Sequence, residues 1–189
     1  MVDVMGHFGM ALLFAIPAWV VWDGRVSLAF IGFTLVTAIL PDADLLLREV
    51  LPMHHHGVTH TIVFVVGFSI LVGAAVEYGL RDRLERQFLK ERGYGASDGG
   101  LFLFVAGGLF LGGMAHLFAD TLSAPDISTP LEPFWPFFDK PYSIDLIWYN
   151  DPLWNVGLLS LAVALHLLLA YVDIAIDHPY AITEIGEEA

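Results

Sequence analysis

The chain of 189 residues has no cysteine. Disulfides and thiolate metal sites are therefore excluded, and any metal must rest on nitrogen and oxygen. Basic residues are scarce: 8 Lys plus Arg stand against 21 acids, giving a formal net charge of −13. Such a balance argues against a nucleic-acid-binding surface. It suggests a surface adapted to high salt, of the kind an archaeal halophile makes. Charged residues of either sign reach only 15%, fewer than a soluble domain carries. The N-terminus also lacks a basic leader and a cleavage site, so the first apolar run is expected to remain as a membrane span.

What fills the chain instead is hydrocarbon: 57% of residues are hydrophobic, and the mean hydropathy is +0.68. A spanning helix takes about 20 mostly apolar residues. Runs at roughly 4–22, 26–47, 58–79, 101–122 and 152–175 meet that length. The expected fold is all-α, a polytopic helical bundle of five spans forming a single integral membrane domain over 1–189. Asp23-Gly24-Arg25 is a short turn, so the first two spans should be antiparallel neighbours, and Pro41 should end or kink the second.

The 80–98 linker is highly charged. Leu80, Leu84 and Phe88 recur every four residues, which predicts an amphipathic helical extension, with Gly93 able to end it. Arg25 and five basic residues of this linker (Arg81, Arg83, Arg86, Lys90 and Arg92) fall on one side, against only Arg48 and Lys140 on the other. The positive-inside rule makes the first side cytoplasmic.

Polar residues then collect at the other, outer ends of the spans. His7 starts the first, Asp42 and Asp44 end the second, and His54, His55, His56 and His60 lie at or before the start of the third. His116 and Asp120, spaced i,i+4, share one face near the end of the fourth. Gly108 and Gly112 continue that face, and small residues at this spacing let membrane helices approach closely. Each group has a plainer role when taken alone. Aspartates cap helices, histidines at an interface are simply polar ends, and His166 in the fifth span could hydrogen-bond another helix. Together, imidazoles and carboxylates near lipid are costly unless they bind something, and a divalent metal is their usual partner. The outer segment 121–151 is rich in proline and aromatics, including Phe134, Trp135, Phe137 and Trp148. It reads as an interfacial belt or as a lid beside the metal, with Glu132 as a further candidate contact.

These motifs in this order resemble the YdjM-like family of inner-membrane proteins, described as membrane-bound metal-dependent hydrolases. The matching residues are His7, Leu40-Pro41-Asp42-Ala43-Asp44, His55-His56-Gly57-Val58-Thr59-His60-Thr61, His116 to Asp120, and Trp135-Pro136-Phe137. His56 stands where the family pattern has arginine, and Thr61 where it has serine. If that arginine meets a substrate phosphate, His56 does so only when protonated. The family is also distantly similar to the zinc-dependent phospholipase C and single-strand nuclease group, which implies phosphoester hydrolysis.

The expected metal ligands are His7, Asp42, Asp44, His55, His60, His116 and Asp120, with Asp44 alternatively placed behind the ligands. Catalytic roles fall to Asp44 and Asp120, and substrate contacts to His56, Glu132 and Trp135. So many candidates exceed the four of one tetrahedral zinc. Two or more ions, zinc first and manganese as the alternative, would activate a water and stabilise a phosphoryl displacement. A membrane lipid or a lipid-linked phosphate suits such a location. The rival readings are a metal transporter or sensor and a scaffold with a structural metal. A transport path needs polar groups through the bundle, and His166 is its one strong candidate on the inner half.

Overall fold

The computed structural model describes residues 2–50, 55–172, 174, 176 and 178–185. It is a helical membrane protein. Four helices are long and apolar enough to cross a bilayer: α1 (Val4–Val21), α2 (Gly24–Leu47), α3 (Ile62–Arg92) and α4 (Gly100–Leu122). The fifth, α5 (Leu153–Leu169), is shorter than the expected 152–175. It nevertheless runs parallel to α1 along its length. Leu158 and Leu159 lie at Gly9, His166 bonds the Leu12 carbonyl, and Ile176 beyond the helix donates to the Val20 carbonyl.

The helix α4 is the axis of the bundle, packed on α1, α2 and α3. Its small residues permit this. A Cβ on Gly112 would lie 2.7 Å from the Thr34 carbonyl oxygen and 2.8 Å from the Ala38 nitrogen of α2, and one on Gly113 would strike Val65 of α3. Helix association in lipid depends on such close backbone approach, because the hydrophobic effect gives little drive between helices there. At the far end the rings of Trp22, Phe30 and Phe104 pack together, with Trp22 and Phe30 centred 4.5 Å apart.

Proline interrupts both early helices, Pro17 between the stretches Val4–Ala15 and Ala18–Val21 of α1 and Pro41 in α2. Pro41 cannot donate a backbone hydrogen bond, and α2 tightens there into a 3-10 turn over Pro41–Ala43. In that tightened stretch Leu40 N–H goes to Thr37 O and Ala43 N–H to Leu40 O. The third helix carries two π turns, Val76–Leu80 and Glu85–Leu89, and continues through the charged linker to Arg92. Gly93, at φ 79°, then takes the left-handed conformation that ends it. Buried Glu77 accepts from the N–H groups of Gly99 (3.0 Å) and Phe102 (2.9 Å) and pairs with Arg81. It therefore caps the N-terminus of α4 and neutralises its dipole.

Two short strands complete the structure, β1 (Tyr94–Ala96) and β2 (Ile182–Glu184), paired antiparallel. The linker reading did not foresee this pairing. Substituting Gly112 by valine should destabilise the detergent-solubilised protein by about 1–3 kcal/mol, the usual range for overpacking. Gly32→Ala, where a Cβ meets nothing within 4 Å, should leave the thermal midpoint unlowered in the same melting assay.

Candidate metal centre

Three helix ends and one loop deliver the polar residues to a common region. His7 lies one turn into α1, and its ring stacks on that of His116 with centroids 4.1 Å apart. His116 and Asp120 come from α4. The Pro41 turn presents Asp42, and Asp44 opens the helical turn that follows. His55 to His60 form the approach to α3, where His60 sits in a 3-10 turn (Val58–His60) rather than in the helix itself. Thr61 caps α3, its hydroxyl accepting Phe64 N–H at 3.1 Å. His56 is in the left-handed region at φ 63°, a conformation that needs outside support. Asp44 supplies it by accepting His56 N–H at 3.2 Å.

The centre of the cluster has the dimensions of a coordination sphere. His60 Nε2 and His116 Nε2 are 3.2 Å apart. Asp42 Oδ1 is 3.5 Å from each of them. Asp120 Oδ2 is 3.1 Å from His116 Nε2, 4.0 Å from His60 Nε2 and 3.7 Å from His56 Nε2. Ligands about 2.0–2.1 Å from a tetrahedral zinc are separated by about 3.3–3.4 Å. The donor atoms thus stand where such an ion would hold them. Asp120 Oδ1 turns the other way, 3.3 Å from His7 Nε2 and 3.2 Å from Val2 N.

Hydrogen bonds behind the rings decide which nitrogen faces inward. Nδ1–H of His116 donates to Ala38 O at 2.8 Å, that of His7 to Asp3 O at 3.2 Å, and that of His56 to Thr129 O at 2.5 Å. A carbonyl can only accept, so in each ring Nδ1 carries the hydrogen. Asp44 does the same for two more rings, its oxygens lying 3.0 Å from His55 Nδ1 and 3.1 Å from His60 Nδ1. Five imidazoles therefore turn Nε2 lone pairs toward the cluster, the orientation that partners behind a metal-binding histidine enforce.

Lone pairs and carboxylate oxygens gathered this closely repel one another unless a cation lies among them. Asp42 Oδ1, Asp120 Oδ2, His7 Nε2 and His55 Nε2 are all buried without a hydrogen-bond partner. Leaving such groups unpaired costs about 1–3 kcal/mol each, and more when charged. These buried His and Asp groups could hold a metal ion.

Two of the histidines outside the spans respond differently to their surroundings. Burial, with the neighbouring rings of His60 and His55, pushes His56 down to about 4 against the pull of Asp120, leaving it neutral at pH 7. Burial also works against a charge on His60, but hydrogen bonds to Asp42 and Asp44 outweigh it and raise its pKa. A metal at His60 Nε2 must then compete with a proton.

Most of the expected ligands meet: His7, Asp42, His55, His60, His116 and Asp120 all contribute to the converging groups. Asp44 is fully buried and holds its neighbours from behind, accepting from His55, His60, His56 N–H and the Thr59 hydroxyl. His56, read from the sequence as a substrate contact, packs into the cluster itself, its Nε2 3.4 Å from Ser128 Oγ. Glu132 and Trp135 lie outside the converging groups, on a segment that folds back over them through Thr129 and through Pro133 O, which accepts Ile62 N–H at 2.9 Å. His54 lies outside the described residues. The carbonyls of Asp3, Ala38 and Thr129 were not foreseen. Pro41 was the only available signal, since its tightened turn leaves the Ala38 carbonyl free for His116.

A family model described as YdjM inner membrane protein matches residues 1–179. The chain belongs to the YdjM inner membrane protein family. The matched region of this YdjM-family chain contains the whole cluster, from His7 to Asp120. Neither a curated protein nor a solved structure matches the chain.

Asp44→Asn should weaken zinc binding by about 10–100-fold without removing an Nε2 donor, the usual effect of losing a group behind the ligands. Competition with a chromophoric chelator measures this. In the wild type, zinc affinity should fall as pH drops through the His60 titration, because each ion bound there displaces a proton. A pH-independent affinity would contradict that coupling.

Proposed function

We propose that this protein is a membrane-embedded, metal-dependent hydrolase that cleaves the phosphoester of a lipid or lipid-linked substrate. The observation that carries this reading is the convergence of five inward-facing histidine rings with buried Asp120 and half-buried Asp42 in overlapping groups. An imidazole-rich, sulfur-free donor set suits zinc, with manganese as the alternative. Seven donors exceed one tetrahedral sphere, which favours two ions. Asp120 would help hold both, since Oδ2 faces His56, His60 and His116 while Oδ1 faces His7. When bound, such ions supply Lewis-acid polarisation of a phosphoryl oxygen and activation of water.

The residues of the chain divide the remaining work. Asp44 fixes the rings of His55 and His60, and its Oδ2 also takes His56 N–H and the Thr59 hydroxyl, so we assign it a positioning role. The side chains of Asp42 and His55, 17% and 15% exposed, form the open edge at which a phosphate can arrive. The other principal donors are 4% exposed or less. That open edge favours an enzyme over a saturated structural site. The excess of Lys and Arg at the opposite ends of the spans supports an outer location for this edge.

Transport is disfavoured by the fate of His166. It accepts Trp19 Nε1–H at 2.7 Å and donates from Nε2 to Leu12 O at 2.7 Å. Both nitrogens are used in tying α5 to α1, so no free polar relay remains there.

Metal analysis of the purified protein should find more than one equivalent of zinc or manganese per chain. His116→Ala and Asp120→Asn should lose metal and hydrolysis of a phosphoester panel together. Hydrolysis retained in both variants would overturn the assignment.

A further inference from the structure

Resting on the hydrolase reading, we infer that a groove between α2 and α3 holds the hydrocarbon chain of the substrate and delivers its phosphate to Asp42. The groove has a volume of about 490 Å³. Phe33 and Val36 of α2 form one wall, Phe68 and Val72 of α3 the other, and Leu109 of α4 the floor. Both walls pack on α4, and the gap between them is left where α2 and α3 diverge.

Three features identify a lipid chain as the occupant. First, the lining is almost wholly apolar and continuous with the membrane-facing surface, since Val36 on its lip is 71% exposed. In a bilayer that surface meets acyl chains. Second, the groove follows the helix axes, as an acyl chain follows the bilayer normal. From Phe33 to Asp42 is nine residues, about 13 Å at the helical rise. One leaflet of hydrocarbon is about 15 Å deep. Third, the groove ends at Asp42, which both lines it and contributes Oδ1 to the cluster. A chain seated there puts its headgroup at the open edge of the metal centre. A water-soluble phosphoester would gain nothing from this groove.

The test uses the full-length protein in phosphatidylglycerol vesicles containing phosphatidic acid with a diazirine midway along one acyl chain. After photolysis, the label should concentrate on Phe33, Val36, Val72 and Leu109, above the outward-facing Leu71 and Leu167. Val72→Trp, which fills the groove, should lower labelling of Phe33 and Leu109 severalfold, with metal content measured alongside as the check on folding. Label spread evenly over Leu71, Leu167 and the groove residues of the wild type would overturn the proposal without reference to any variant. Hydrolysis of bis(4-nitrophenyl) phosphate, which has no chain, separates the two readings. If the wild type cleaves it and the groove stays unlabelled, only the groove assignment fails. If the groove is labelled and neither this ester nor the phosphatidic acid is cleaved, only the hydrolytic reading fails.

Discussion

The structure turns on the repulsion among acceptors that share one small, dry volume. The Nε2 atoms of His56, His60 and His116 and the oxygens of Asp42 and Asp120 face one another across 3.1–4.0 Å in the centre of the cluster. Inside a bundle surrounded by lipid there is little water to separate them, and low dielectric magnifies each unfavourable pair. A cation among them reverses the sign of every one of these interactions. The order in the surrounding backbone serves to hold the acceptors in that otherwise unfavourable arrangement.

The hold is exerted at two levels. Nearest the rings are oxygen acceptors at Nδ1: three backbone carbonyls and the shared carboxylate of Asp44. Behind these lies helix packing. Ala38 reaches His116 because Gly112 lets α2 settle against α4, and Gly9 likewise lets α1 settle on α5. Each glycine replaces a side chain with backbone contact, and dispersion at that range is the main attraction available between helices in lipid. The polar cluster and the membrane packing are thus parts of one design, in which small residues set the distances between large polar ones.

Much of this could be read in the residues. Apolar runs located the spans, and their alternation put His7, Asp42, His60, His116 and Asp120 at one end before any distance was known. His116 and Asp120 were legible because a helix repeats every 3.6 residues, so i,i+4 groups must share a face. The partners of the rings were not legible, because a backbone carbonyl has no sequence signature. Asp44 read as a further ligand or as a partner behind the ligands. It groups with Asp42 and His55, and it also sits among four donors behind the rings. His56 looked like a substitute for a phosphate-binding arginine, and only its left-handed backbone turns the ring inward. The pairing of the linker strand with the C-terminal strand links segments far apart in sequence, and neither has a strong enough pattern to announce it. The α5 helix ends at Leu169 although apolar residues continue, and hydrogen bonds of the following segment to Val20 and Val21 accompany that ending.

The most direct test of a cation at this point is diffraction from crystals of the purified protein, with anomalous data at the zinc and manganese absorption edges. Strong anomalous density is expected between His60 Nε2, His116 Nε2, Asp42 and Asp120, with a second peak on the His7 or the His55–His56 side of Asp120. A cluster whose rings stay in this arrangement with no anomalous density among them, in protein grown with either metal, would contradict the central claim.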